Sequence, residues 1–247
     1  MHRLLLVCAG LALMMLSAGL APAQQPAPAR PYKAIKVAPP QPHDDPELDA
    51  MRKTLADAAE KKDRTALTRL VVAQGFFWDR GSGNAADKNL SGIANLAAAI
   101  GLDKDSDGWD VLLGYAEEPS AAPTPEHKGA ICAPADPDFD VKELADTLKA
   151  TATDLGEWGY ALADGVAVLA APRAAAPTID TLNRVLVRVL LEDKPVSAAY
   201  LRVITPAGKV GYADIDAIAP LGEDQLCYVK EGGAWKIGGY IGDGNEP

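Results

Sequence analysis

The stretch from Asp103 to Gly108 reads D-K-D-S-D-G, the pattern that opens an EF-hand calcium loop. Such a loop ends on a bidentate carboxylate at its twelfth position. Counted from Asp103, that position is Gly114, which carries no carboxylate. The aspartates have a second interpretation, because Asp107 can cap a helix whose apolar stripe begins at Trp109. We therefore predict a helix start at Asp107 and no metal site.

Residue types suited to hydrolytic or nucleophilic catalysis are sparse. After the first 23 residues the only histidines are His43 and His127, and both lie in proline-rich segments. Neither belongs to a recognisable serine or cysteine nucleophile motif, and no histidine cluster has the spacing of a zinc site. The sequence predicts no catalytic residue and no cofactor, so we interpret the chain as non-enzymatic.

The first 23 residues have the organisation of a secretory signal peptide. Arg3 is followed by an apolar run from Leu4 to about Leu16 and by small residues that end at Ala23. This pattern predicts a periplasmic or secreted mature chain. No membrane insertion is expected after cleavage, because no later segment reaches the roughly 18 apolar residues of a membrane span. The formal net charge of −10 disfavours nucleic acid as a partner.

Two cysteines remain after signal removal, Cys132 and Cys227. Exported chains fold in compartments that oxidise thiols, so a disulfide between these two residues is the simplest interpretation. The alternative is two independent buried thiols.

Helical periodicity dominates residues 46–118. Asp45-Pro46 begins the first helix, since an acidic N-cap followed by proline is a helix-start signal. Proline-rich segments flank the region, at 24–45, which we predict to be a tether, and at 119–140, which we predict to be a linker. The region itself predicts a small helical bundle, with four apolar stripes at Leu48, Met51 and Leu55, at Leu67, Leu70 and Val71, at Leu90, Ile93, Leu96, Ala97 and Ile100, and at Trp109, Leu112, Leu113 and Ala116.

Residues 141–247 have a different pattern. A leading helix from Val141 to about Leu155 is followed by short β-branched runs that alternate with turn signals. Two hairpin turns are explicit, at 206–208 and at 232–233. This spacing predicts a small antiparallel barrel or sandwich.

Three runs in this region resemble the bacterial SH3-like domains of exported envelope proteins. They are GVAVLAAP (165–172), RVLVRVLL (184–191) and YLRVITPAGKVGYADIDAIAPL (200–221). In such domains a strand, a polar turn with glycine, and a Gly-Tyr or Gly-Trp pair with a return strand recur, here from Arg202 to Ile218. The resemblance covers residues 160–242. The expected fold class is therefore α+β, an N-terminal small helical bundle followed by a C-terminal SH3-like small β-barrel.

The resemblance also implies a ligand groove lined by aromatic side chains. Tyr200 and Tyr212 are candidates for it, because aromatic rings offer rigid contact area. Trp235 is a third candidate, although it alternates with Ile237 after a tight turn and could instead close the core. The implied function is recognition of a cell-wall peptide or glycan, or of an envelope protein. The alternative is an envelope enzyme of the cell-wall hydrolase type, targeted by its SH3-like domain.

Overall fold

The computed structural model describes residues 30–102, 107–192 and 194–244. The predicted signal peptide and the first two aspartates of the calcium-like motif, Asp103 and Asp105, lie outside these residues. The described part contains fifteen strands in three sheets and five α-helices. None of its helices has the length and apolar content needed to cross a membrane.

The helices are α1 (Pro46–Glu60), α2 (Arg64–Leu70), α3 (Gly92–Ile100), α4 (Gly108–Glu117) and α5 (Val141–Thr151). The strands are β1 (Val37–Ala38), β2 (Phe77–Arg80), β3 (Gly83–Asn84), β4 (Ala122–Pro123), β5 (Ile131–Ala133), β6 (Asp138–Phe139), β7 (Trp158–Ala161), β8 (Asp164–Leu169), β9 (Thr178–Asn183), β10 (Leu186–Val189), β11 (Tyr200–Ile204), β12 (Val210–Asp214), β13 (Ile218–Pro220), β14 (Gln225–Glu231) and β15 (Ala234–Ile241).

The expected fold class, a helical bundle followed by an SH3-like barrel, is wrong. The described chain is mostly sheet, and its seven-stranded sheet, in the order β13-β7-β10-β11-β12-β8-β9, stays open because its two edge strands do not pair. The helices of residues 46–118 form close to the predicted positions, but they pack on strands rather than only on one another. Most residues of the predicted apolar stripes are buried, but Leu90 precedes α3 and is exposed, and the stripes pack on strands from elsewhere in the sequence.

Helix starts follow local capping chemistry. Asp45, Asp63 and Asp140 each accept hydrogen bonds from backbone N–H groups of the first turn of α1, α2 and α5. Asp107 occupies the N-cap position of α4, as predicted, but its side chain makes no capping hydrogen bond.

We call the first packed unit body A. It contains α1 to α4 and the six-stranded sheet in the order β3-β2-β15-β14-β5-β4, from residues 46–133 and 225–244. The hairpin β14–β15 lies at its centre and brings Tyr228, Trp235 and Ile237 into the core of the helices. The last strands of the chain thus complete the fold of its first helices.

Gly239 permits the close approach that joins β15 to β2. These strands pair in parallel with Gly239 opposite Phe77, and a Cβ atom on Gly239 would lie 2.3 Å from the Phe77 ring. A side chain at this position would therefore push β2 away from the sheet.

Cys132 and Cys227 lie opposite each other on the neighbouring strands β5 and β14. Their sulfur atoms are 2.03 Å apart, at disulfide distance, as predicted. Both residues are buried within body A, so the bond joins the C-terminal hairpin to β5.

We call the second packed unit body B. It contains the seven-stranded sheet, α5 and the pair β1–β6, and it has its own core. One face of the sheet buries Val187, Val203 and Ala213. The other face is covered in part by α5 and by residues 30–38, which we call the strap.

The strap is part of the segment predicted to be a tether, yet it packs into body B. Ile35 and Val37 are almost fully buried, at 1% and 5% exposure. The Leu186 N–H donates to the Ile35 carbonyl, and the Val37 N–H donates to the Arg184 carbonyl. These bonds extend the sheet hydrogen-bonding pattern onto the strap.

The chain passes between the two bodies three times, at residues 39–44, 134–137 and 221–224. No helix or strand of body A packs extensively on a helix or strand of body B in the described chain. Each body therefore has a separate core, and the three crossings hold the two together.

Replacing both Cys132 and Cys227 by alanine should destabilise body A. A cross-link spanning 95 residues restricts the unfolded chain, so the free energy of unfolding should fall by at most about 4–5 kcal/mol. Urea unfolding followed by tryptophan fluorescence measures this change. Reductant added to the wild-type protein is the matched control, and an unchanged unfolding midpoint in both samples would contradict the prediction.

Candidate functional site

Tyr200 and Tyr212 lie on one face of the β11–β12 pair. Tyr200 is opposite Asp214, and Arg202 is opposite Tyr212. Residues directly opposite, and residues two apart along a strand, point to the same side of a sheet. The two tyrosines therefore flank Arg202 on the face away from the core residue Val203, and both are half-exposed.

Trp235 does not join them. It lies on β15 in body A, is buried against the helices, and donates from its indole Nε1 to Asp45 Oδ2 at 3.2 Å. The ammonium of Lys230 lies 5.0 Å from its ring centroid. The structure thus brings together two of the three aromatic candidates, Tyr200 and Tyr212. The third, Trp235, lies in the core of body A and is bonded to Asp45, the N-cap residue of α1.

The face that carries Tyr200 and Tyr212 continues along β11 to Ile204, which is opposite Arg188 of β10. Arg188 and Ile204 form part of the lining of a cleft with a volume of about 760 Å³. The strap forms one wall through residues 30–33, and α5 forms the other. The half-exposed tyrosines and the cleft therefore lie on the same face of the sheet of body B.

Tyr32 anchors the strap at the floor of this cleft. Its hydroxyl donates to the Ile204 carbonyl at 2.7 Å and accepts from the Arg188 N–H at 3.3 Å. Its ring packs edge-on against Trp158, with centroids 4.9 Å apart. Burial raises the pKa of the Tyr32 hydroxyl well above its usual value, so this group stays protonated and acts as a structural hydrogen-bond donor.

The side chain of Arg188 is held by Glu157. Its Nε and Nη2 atoms donate to Glu157 Oε2 at 3.2 and 2.7 Å. This hydrogen bond is the main reason that the pKa of Glu157 lies below its usual value. On the tyrosine face, Arg202 is held in the same way by Glu192 at 2.9 Å. Both guanidinium groups are thus fixed in position beside the surface that they line.

The walls of the cleft carry charges of both signs. Lys33 of the strap bonds Glu143 of α5, and Lys142 bonds Asp146 one turn along the same helix at 3.2 Å. An eleven-residue helix such as α5 is about 16 Å long, which matches about five residues of extended peptide. The walls of the cleft therefore carry paired charges of both signs along a helix about as long as five extended residues.

Other chemistry is remote from this surface. In residues 30–102, 107–192 and 194–244, no group of three or more histidine, cysteine or acidic side chains is placed to hold a metal ion. His127 Nε2 lies 2.5 Å from Asp79 Oδ2, and the imidazole stacks on the Phe77 ring at 3.6 Å. This contact pins the loop between β4 and β5 to the sheet of body A.

Sequence reasoning missed Tyr32, Arg188 and α5 as parts of the site. The proline content of residues 24–45 led to the prediction of a tether, although Ile35 and Val37 alternate with Lys36 in the two-residue period of a strand. That alternation was the available signal for the strap. Its place beside β10 depends on contacts that are distant in the sequence.

Comparisons with known protein families, with curated proteins and with solved structures find no match. The resemblance of residues 160–242 to SH3-like domains therefore stays a prediction, and the seven-stranded sheet to which these residues contribute is not closed into a barrel.

Replacing Glu157 by glutamine tests the support of Arg188. The pKa of Glu157 is lower in the folded protein than in the unfolded chain. Its ion pair with Arg188 therefore stabilises the fold at pH values above the ordinary carboxyl pKa. This stabilisation is lost as the pH falls through the pKa of the folded state. Because the pair is partly exposed, Glu157→Gln should lower the free energy of unfolding at neutral pH by about 1 kcal/mol or less.

The difference in the free energy of unfolding between Glu157→Gln and wild type should shrink as the pH falls below about 4, the ordinary glutamate range. Thermal unfolding across this pH range measures it. The exposed Glu60→Gln change at the end of α1 is the matched control. A difference that grows toward low pH would show that the sign is wrong.

Proposed function

We propose that this chain is a non-enzymatic, exported protein of the cell envelope that binds a cell-wall peptide or glycan. An envelope protein is the other expected type of ligand. The observation that carries the proposal is the shared sheet face of body B, on which Tyr200, Tyr212 and Arg202 lie on the same side as the cleft-lining Arg188 and Ile204.

The chemistry of this surface suits an extended polar ligand. Half-exposed tyrosine rings provide rigid platforms for a sugar or peptide backbone, and guanidinium groups already held by carboxylates offer their remaining donors at little entropic cost. The cleft has the volume of a small-ligand site, and the tyrosines lie on the same face of the sheet.

Two further features support export and a binding role. The signal-like N-terminal pattern and the cysteine pair at disulfide distance are both typical of exported chains. In the described part of the chain, no serine, threonine or cysteine side chain is hydrogen-bonded to a histidine, the usual start of a hydrolytic site. These observations favour binding over the alternative of a cell-wall hydrolase.

The Tyr200→Ala/Tyr212→Ala double variant should lose binding to purified cell-wall sacculi. Each lost aromatic contact at a binding surface commonly weakens the free energy of binding by about 1 kcal/mol or more, so the dissociation constant should rise at least about tenfold. Co-sedimentation of the mature protein with sacculi measures it. Val111→Ala, at an exposed position on α4 of body A, is the matched control.

The result also distinguishes the two ligand types. If sacculi retain neither protein but an envelope extract yields a partner that the double variant fails to hold, the ligand is an envelope protein. Equal retention of wild type and double variant in both assays would refute the proposal.

A further inference from the structure

The three crossings between body A and body B meet at one place. They line a second cavity, of about 320 Å³, together with the end of α4 and the strands β7 and β13. Seven prolines contribute to this lining, and five of them lie in the first and second crossings, where they restrict the backbone conformations. Connections that converge on one point between separately packed units allow rotation about that point.

Three carboxylates face this cavity, each from a different segment. Glu118 follows α4, Asp136 lies in the second crossing, and Glu223 lies in the third. No lysine, arginine or histidine is among the described residues that line the cavity. Like charges are therefore gathered at the place where the two bodies meet, without a cation between them.

Two of these carboxylates, Glu118 and Asp136, act electrostatically on the third, Glu223. Glu223 and Asp136 are exposed at the mouth of the cavity, where its wall removes part of their hydration. Partial burial is the largest cause of the raised pKa of Glu223, and the carboxylates of Glu118 and Asp136 add to it. Partial burial is also the largest cause of the raised pKa of Asp136, and a hydrogen bond with Gln225 opposes it. The pKa of Tyr160 of β7 is raised first by burial and then by the same three carboxylates.

The neighbouring charged groups belong mainly to body A. Arg52 of α1 donates to the Ser120 carbonyl at 3.4 Å and lies under the Tyr228 ring, behind the cavity wall. Glu118 is fixed by hydrogen bonds from the N–H and hydroxyl of Ser120. Glu126 in the β4–β5 loop adds further negative potential at Asp136.

Two more titratable groups adjoin the cavity. Asp224 accepts a hydrogen bond from Tyr240 at 2.7 Å. His43 is in the first crossing, where its backbone N–H donates to the Pro119 carbonyl.

We propose that the junction of body A and body B is a charge-controlled hinge, which closes when Asp136 and Glu223 take up protons beside the carboxylate of Glu118 and opens when they are ionised. A carboxyl whose pKa is raised in the closed state binds its proton more tightly there. The closed state is therefore favoured at and below the ordinary carboxyl pKa, and this preference is lost as the pH rises through the raised values. The hinge does not depend on the ligand proposed for body B.

The test compares the wild-type protein with the Asp136→Asn/Glu223→Gln double variant, which keeps the bonds of Glu118 to Ser120. Small-angle X-ray scattering at about pH 4 and about pH 7.5 spans the ordinary carboxyl range and the region above it. The maximum dimension of the wild type should increase at the higher pH, and that of the double variant should not. Should the double variant fail to fold, Glu223→Gln alone is used and should show a smaller increase than the wild type.

Hydrogen exchange gives a second, local measurement. After correction for intrinsic rates, exchange in residues 39–44, 134–137 and 221–224 of the wild type should accelerate by up to about tenfold per pH unit for each proton released. In the double variant the acceleration should be lost. Salt of about 0.5 M or more should close the wild type again at the higher pH, because it screens charges at the cavity mouth.

Two controls separate the carboxylates from other groups. Glu60→Gln, on the exposed end of α1, should open like the wild type. His43→Asn, which removes the titratable group of the first crossing, should also open. The hinge is refuted if the wild type keeps one dimension at both pH values, if the double variant opens as the wild type does, or if His43→Asn alone abolishes opening.

Discussion

The return of the C-terminal hairpin to the N-terminal helices is the constraint on which body A depends. Helices α1 to α4 are short and amphipathic, and such helices are marginal unless their apolar faces are buried. The hairpin β14–β15 supplies that burial with Tyr228, Trp235, Ile237 and Tyr240. Full burial of a large side chain contributes about 1.5–3 kcal/mol, so these residues outweigh any local helix propensity.

The same constraint determines where body B can form. Because the first and last parts of body A are far apart in the sequence, residues 138–221 emerge from it as a continuous insert. The insert folds into its own sheet, and the strap from the start of the described chain packs on that sheet. Body B thus has a complete core with few packing obligations to body A, and its tyrosine face and cleft lie away from the disulfide.

The charged groups of body B and those of the junction are arranged differently. On the face of body B that carries the cleft, guanidinium groups are held by single carboxylates, as in Arg188 with Glu157 and Arg202 with Glu192. At the junction, Glu118, Asp136 and Glu223 share a cavity without a lining cation in the described chain. Paired charges fix side chains in place, whereas gathered like charges weaken the arrangement that brings them together. The proposed ligand surface and the proposed hinge are therefore expected to respond differently to pH and salt.

The sequence by itself determined the local features. The starts of α1, α2 and α5 follow from Asp45, Asp63 and Asp140, since capping acts within one helical turn. Pairing of Cys132 with Cys227 followed from their number and expected compartment, and the alternation along β11 and β12 placed Tyr200 and Tyr212 in strands. Only the tertiary structure decided that β14–β15 belongs with the helices, that the strap covers β10, and that the sheet stays open. The first two outcomes depend on burial and pairing between residues more than a hundred positions apart, and the third depends on which of the strands within residues 158–220 pair. A periodic pattern shows that a face is apolar without specifying what will cover it.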